Sequence, residues 1–308
     1  MPLATFNSSV RKGLEGNPKP EGRRPKEGRS PKPEARKHLR LIRISDFDLL
    51  SAFGLRPPGL ISVFAALCLL ALGPPARGGD SDDSTGPRKA FEEAKRKHES
   101  NPKDVEATWQ FARATFDLAD VATGKSERAE IAQQGIAACN QALEKTTPPD
   151  CAALHYYLGL NQGELARTKV FGALRLVDQM EREFLKAIEL DASFDYGGPD
   201  RSVGLLYRDA PAFGSIGSRT KARTHLQHAV ELAPCYPENR LNLIESELKW
   251  NDRKSARHEL KLLEDSWPDA RAQFTGSAWG SSWTDWNSRL DKIKRTLEEP
   301  ARLESPRH

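Results

Sequence analysis

Apolar and polar positions repeat along this chain at two scales. Ala222, Leu226 and Ala229, closed by Pro234, recur 34 residues later as Ala256, Leu260, Leu263 and Pro268. Offsets of four and seven place the apolar residues on one helical face. A small residue leads each set, as needed where two helix backbones approach closely, and proline then stops the helix. The same offsets return upstream as Met180, Phe184 and Ala187, and as Gly135, Cys139 and Ala142. Each set has a partner helix before it. These partners are marked by Trp109, Ala112, Arg113 and Phe116; by His155, Leu158, Gly159 and Gln162; by Asp200, Val203, Gly204 and Tyr207; and by Arg240, Leu243, Ile244 and Glu247. Four helix pairs in register follow.

A 34-residue helix–turn–helix period is the tetratricopeptide length. The pattern therefore predicts an all-α fold, a right-handed α-α superhelix of about four degenerate tetratricopeptide hairpins over residues 89–268. Only the last pair has the standard internal spacing. From the first marker of one helix to the first of the next, the separations are 26, 25, 22 and 16 residues. The extra residues share one topological place, so they predict either a binding surface on one edge of the array or simply longer helices. Trp279, Trp283 and Trp286, spaced four and three apart, predict three indoles on one helical face within a capping region over 269–308. That face either closes the open end of the array or offers a partner-docking surface.

The pattern breaks down towards the N-terminus. Residues 11–38 are rich in Pro, Gly, Lys and Arg without apolar periodicity, so residues 1–56 read as a disordered basic tail. Residues 60–72, LISVFAALCLLAL, hold one polar residue in 13. That is short for a spanning helix, which needs about 20 residues. It suits the roughly 7–15-residue core of an export signal. Residues 57–78 are thus expected to be a signal peptide cleaved near 73–78 or an uncleaved membrane anchor, followed by a linker over 79–88. The segment begins later than an ordinary signal, and Leu67 stands where a lipid-attachment motif before Cys68 would want a small residue. Periplasmic or other export is the expected localisation, with membrane association through 60–72 as the alternative.

Charge follows the same division. Residues 1–56 carry 13 Lys/Arg against 6 Asp/Glu, whereas 79–308 carry 33 against 37. The repeat region is mildly acidic and has no electrostatic reason to seek nucleic acid.

No metalloprotease, nucleophile-elbow or phosphate-loop motif is present. The chain is expected to be no enzyme and to hold no cofactor and no metal. His225 and His228 have metal-ligand spacing but flank core positions, and are expected to be exposed and non-ligating. Asp195, Asp200 and Arg201 form a charged group, with Asp200 expected as a helix cap or a partner of Arg201. Cys139 falls at a core position. Cys151 and Cys235 fall at repeat boundaries, and a disulfide between two of the three is left open. The loop-like stretch 211–219, PAFGSIGSR, presents Phe213 between glycines. Arg201, Tyr207, Phe213, Trp279 and Trp283 are the candidate ligand- or partner-binding residues, facing a protein partner or a small apolar or organic-acid ligand.

Residues 189–248 hold Gly197, Gly198, Pro199, Arg201, Gly204 and Tyr207, then Ala210, Pro211, Phe213, Ser215 and Gly217, then Pro234 and the run Tyr236, Pro237, Glu238, Asn239 and Arg240. This resembles the T-component family of tripartite ATP-independent periplasmic (TRAP) transporters. The resemblance implies a non-catalytic periplasmic helical protein that assists transport, assembled as a ring-like homo-oligomer with a central pore. Asp200 stands where an aromatic is expected in that family. The alternative is an interaction scaffold in the cell envelope with no small ligand.

Overall fold

The computed structural model describes residues 85–145, 152–169 and 171–299. Ten α-helices and one 3-10 turn make up the described structure, without a strand. They are α1 (Thr85–Ser100), α2 (Val105–Val121), α3 (Lys125–Leu143), α4 (Ala152–Thr168), α5 (Ala173–Asp191), α6 (Phe194–Asp209), α7 (Arg219–Leu232), α8 (Pro237–Lys249), α9 (Arg253–Gln273) and α10 (Gly280–Glu298). The basic tail, the apolar segment and Cys68 lie outside the described residues, as do Cys151 and residues 300–308. Among the described residues, no helix is long and apolar enough to cross a membrane.

The four expected pairs are α2–α3, α4–α5, α6–α7 and α8–α9. Local signals set their ends. Asp104 caps α2 by accepting from the Glu106 amide, and Asp252 caps α9 by accepting from the Ser255 amide. Pro237 opens α8, where a missing N–H matters least. The repeated markers of the second helices are the buried ones: Met180, Phe184 and Ala187, Ala222, Leu226 and Ala229, and Ala256 and Leu263. Glycine permits close crossings within the pairs: a Cβ on Gly135 of α3 would run into the Thr115 hydroxyl of α2. A Cβ on Gly159 of α4 would sit 2.6 Å from the Phe184 ring of α5.

Successive first helices pack against one another, α2 on α4, α4 on α6 and α6 on α8, while successive second helices scarcely touch. The first helices therefore form the inner layer of a curved array. α10 packs on α8 and fills the place a further first helix would take. Trp267, Phe274, Trp279, Trp283 and Trp286 join Tyr236 and Tyr196 in the core beneath it. Trp279 sits in the 3-10 turn Ser277–Trp279 and not on the helix with Trp283 and Trp286.

Several expectations need correction. α1 begins at Thr85, inside the stretch read as a linker, and lays Phe91 against Phe111. The extra residues of the first two pairs lengthen helices, since the turns joining α2 to α3 and α4 to α5 are short. Only the third pair has a true inserted loop, between Asp209 and Arg219. Pro268 does not end its helix: α9 runs on to Gln273. Pro268 lies on the exposed side of α9, where water can satisfy the carbonyl that loses its amide donor.

Candidate binding face of the inner layer

The most unusual backbone lies at the start of α6. Asp195, Tyr196 and Gly197 take φ of 50°, 58° and 75°, three successive residues in the left-handed region. Glycine suits that region, and a Cβ on Gly197 would lie 3.2 Å from the backbone of Ala229. Asp195 tolerates it better than most residues, but Tyr196 does not suit it, and a bulky residue there costs about 1–3 kcal/mol. Neighbouring side chains hold the turn. Asn239 of α8, fully buried, donates to the Tyr196 carbonyl at 2.9 Å and to the Ala229 carbonyl at 2.7 Å. It accepts from Arg201 at 2.8 Å, and Arg201 also donates to the Asp195 carboxylate at 3.2 Å. The Tyr196 ring stacks on Tyr236 at 4.6 Å.

The turn delivers Asp195 to the inner layer where α2, α4 and α6 meet. Tyr156 of α4 donates its hydroxyl to Asp195 at 3.3 Å. Trp109 of α2, Tyr157 of α4 and Phe194 form an aromatic floor, with Trp109 stacked on Tyr157 at 5.9 Å and edge-on to Phe194 at 6.2 Å. Beside it on α2 stand Arg113 and Asp117, 3.7 Å apart with 14% and 21% of their side chains exposed. Burial pushes the Asp117 carboxyl up to about 7, opposed by Arg113 and reinforced by the nearby carboxylates of Asp120 and Asp195. Burial also raises the Tyr156 hydroxyl, with the Asp195 charge adding to it. Arg113 stays charged because the acidic groups around it outweigh its burial.

The five candidate residues are dispersed. Arg201 is buried and structural, clamping the turn and lying 5.5 Å over the Tyr236 ring. Tyr207 is buried and donates to Glu181 of α5 at 2.6 Å. Trp279 is buried, and Trp283 donates its indole N–H to the Phe274 carbonyl at 2.7 Å, so both serve the terminal core. Phe213 alone stands open to solvent, 98% exposed.

The charged residues near α6 pair differently from expectation. Asp200 is a partner neither of Arg201 nor of a helix end. His225 Nδ1 lies 2.8 Å from Asp200 Oδ1, and His228 Nδ1 lies 2.9 Å from Oδ2, without hydrogen-bond geometry at the second contact. The two histidines are therefore engaged from one helix face by one buried carboxylate. Among the described residues, no group of three or more His, Cys, Asp or Glu is arranged to hold a metal ion. Cys139 and Cys235 are free thiols, and burial raises that of Cys139. The residues missed from sequence are Arg113, Asp117, Asp195 and Asn239 acting together. Trp109 and Arg113 were legible only as repeat markers, and nothing in the repeat pattern foretells a left-handed turn at Asp195.

The family model described as "Regulator of microtubule dynamics protein 1-3" matches residues 77–194. No curated protein matches the chain. The match takes in α1 and the first two hairpins, with the floor residues Trp109, Tyr157 and Phe194, and stops where α6 begins. The segment that carries the T-component resemblance lies almost wholly beyond it. Over less than half of its length, then, this helical-hairpin array is similar to the regulator of microtubule dynamics family.

Proposed function

We propose that the chain is a non-catalytic helical-repeat binding module that takes an extended segment of a partner protein along its inner layer. One observation carries the reading. A strained turn is held in place by Asn239 and Arg201, and it sets a carboxylate near the largely buried Arg113–Asp117 pair and an aromatic floor. Strain of this kind persists only where surrounding contacts over-determine it, and it clusters at binding sites. An apolar side chain of the partner would lie on Trp109, and its backbone or a charged residue would meet Arg113 and Asp117. The matched family is described as regulating microtubule dynamics, which accords with a protein partner. Export through residues 57–78, a homo-oligomer and service as a TRAP T-component remain finer parts of the proposal. The last rests on the motifs of 189–248 alone.

The test is selection of a displayed random-peptide library on the purified chain. Wild type should enrich a consensus, and Arg113→Ala and Trp109→Ala should lose it while keeping the helical circular dichroism of wild type. An absent consensus, or one that survives both substitutions, sinks the reading.

A further inference from the structure

The two most exposed large apolar side chains share an edge of the array. Phe171, 90% exposed, sits in the turn between α4 and α5, and Phe213, 98% exposed, in the loop between α6 and α7. Both connections close hairpins, and neighbouring hairpins present their closing turns on the same side. Leu174, at 41% exposure, begins α5 beside Phe171. A single exposed apolar residue means little, whereas two nearly bare phenylalanines on adjacent turns form a patch that water disfavours.

The charge immediately around them is mainly basic. Lys125 at the turn of the first hairpin and Lys169 and Arg175 at that of the second are exposed and make no ion pair among the described residues. The acids nearest the turns are engaged. Glu127 pairs with Arg88, Asp209 with Arg208 and Lys249, and Asp252 with Arg223. Exposed Asp178 and Glu130, which make no ion pair among the described residues, lie about one turn deeper along α5 and α3. The first turns of α5, α7 and α9 hold no acidic residue, although the helix dipole favours one there.

Bare aromatics rimmed by unpaired cations fit a surface that is apolar a few ångströms down and negatively charged on top. We propose that this edge docks on an anionic phospholipid bilayer, with Phe171 and Phe213 entering the headgroup boundary and Lys125, Lys169 and Arg175 meeting lipid phosphates. Phenylalanine supplies buried area there and Lys/Arg supplies the attraction to anionic lipid. The inner layer stays open in this pose, so the proposal stands independently of peptide binding.

The full chain can reach lipid through its basic and apolar N-terminal stretches, so the test must report from the edge itself. 4-Fluorophenylalanine placed singly at 171, at 213 and, as a control, at exposed Asn140 near the opposite edge gives one fluorine signal per protein. Vesicles of phosphatidylcholine with phosphatidylglycerol, doped with a doxyl-labelled lipid, should broaden the signals at 171 and 213 and spare that at 140. Pure phosphatidylcholine should leave all three sharp. The double change Lys169→Gln/Arg175→Gln should weaken the engagement constant about thirty-fold, from about 1 kcal/mol per basic residue at an anionic surface. Vesicle binding that leaves 171 and 213 sharp overturns the proposal in favour of the N-terminal stretches. Equal broadening by neutral vesicles, or no effect of the double change, overturns it as well. Broadening that grows with protein concentration and without lipid assigns the edge to a second copy of the chain, and also overturns it.

Discussion

Arg289 of α10 tests how the open end of the array is closed. Its guanidinium is 5% exposed and reaches Glu238 at 2.7 Å, Asn242 at 2.7 Å and both Glu245 oxygens at 2.8 Å. Arg289→Ala would leave Glu238, 2% exposed, with only the Trp286 indole and the Asn242 amide as partners. Removing one side of a buried ion pair costs about 3–5 kcal/mol, mostly because the remaining charge is stranded. The Glu238 carboxyl is held below its ordinary range because Arg289 and Arg201 outweigh its burial, so it would remain charged until its partner is lost. With a denaturant slope of about 2 kcal/mol per molar urea, a loss of 3 kcal/mol moves the unfolding midpoint by about 1.5 M. The tryptophans beneath α10 report this end by fluorescence, and circular dichroism reports the whole array. Ends of repeat arrays can open separately, so the fluorescence transition should move further than the circular dichroism transition. Arg289→Lys keeps the charge without the planar fork and should fall between the two. Glu238→Gln/Arg289→Met should recover part of the loss, since no charge is then stranded. A midpoint for Arg289→Ala within about 0.3 M of wild type would refute the reasoning.

Two further outcomes follow from the inner layer. The Asp117 carboxyl is raised by burial from 3.8 to about 7, so the folded chain holds a proton that the unfolded chain releases across that window. The stabilisation this gives is complete below the lower value and lost as pH rises through the upper one. Carboxyl carbon resonances should show one aspartate titrating near the upper value, and Asp117→Asn should flatten the fall in stability with rising pH; titration in the ordinary range would oppose this. Asn239→Leu strands the Tyr196 carbonyl and one Arg201 donor, while the Ala229 carbonyl keeps the Ala233 amide, and should destabilise the chain by about 2–6 kcal/mol, at about 1–3 per stranded buried group. Thermal or urea unfolding measures it, and a loss below about 1 kcal/mol would show that the turn holds itself.

Most of the architecture was legible because it rests on periodicity. Ala222, Leu226 and Ala229 carry their burial in their spacing, and the same offsets locate α3, α5 and α9. The errors share a cause. Pro268 looks like Pro234 in sequence, but one lies on the exposed side of a helix supported along its other side, and the other follows a helix that has already ended. Spacing records a residue's place along the chain and not its neighbours across the fold, so it could not reveal that Asp200 turns to His225 and His228 and leaves Arg201 to Asp195. The three tryptophans carried the opposite ambiguity. Indoles on one face suit a docking surface or a core equally, and it is α10 lying over Tyr236 and Phe274 that makes them a core.

The strained turn shows why the candidate site escaped a reading by repeats. A regular hairpin stack needs only a short connection from α5 to α6, and an ordinary turn would serve. Here the connection is replaced by three left-handed residues whose carbonyl and carboxylate are held by Asn239 and Arg201. Those two residues belong to α8 and α6, so the third and fourth hairpins fix the geometry of a site whose floor comes from the first three. Packing accounts for part of the arrangement, since Tyr196 stacks on Tyr236 and meets Phe274 in the terminal core, where a glycine or asparagine would lose that contact. Packing does not account for Asp195, whose carboxylate the turn fixes between Arg201 and the Tyr156 hydroxyl, and it is that fixed charge on which the proposed binding face rests.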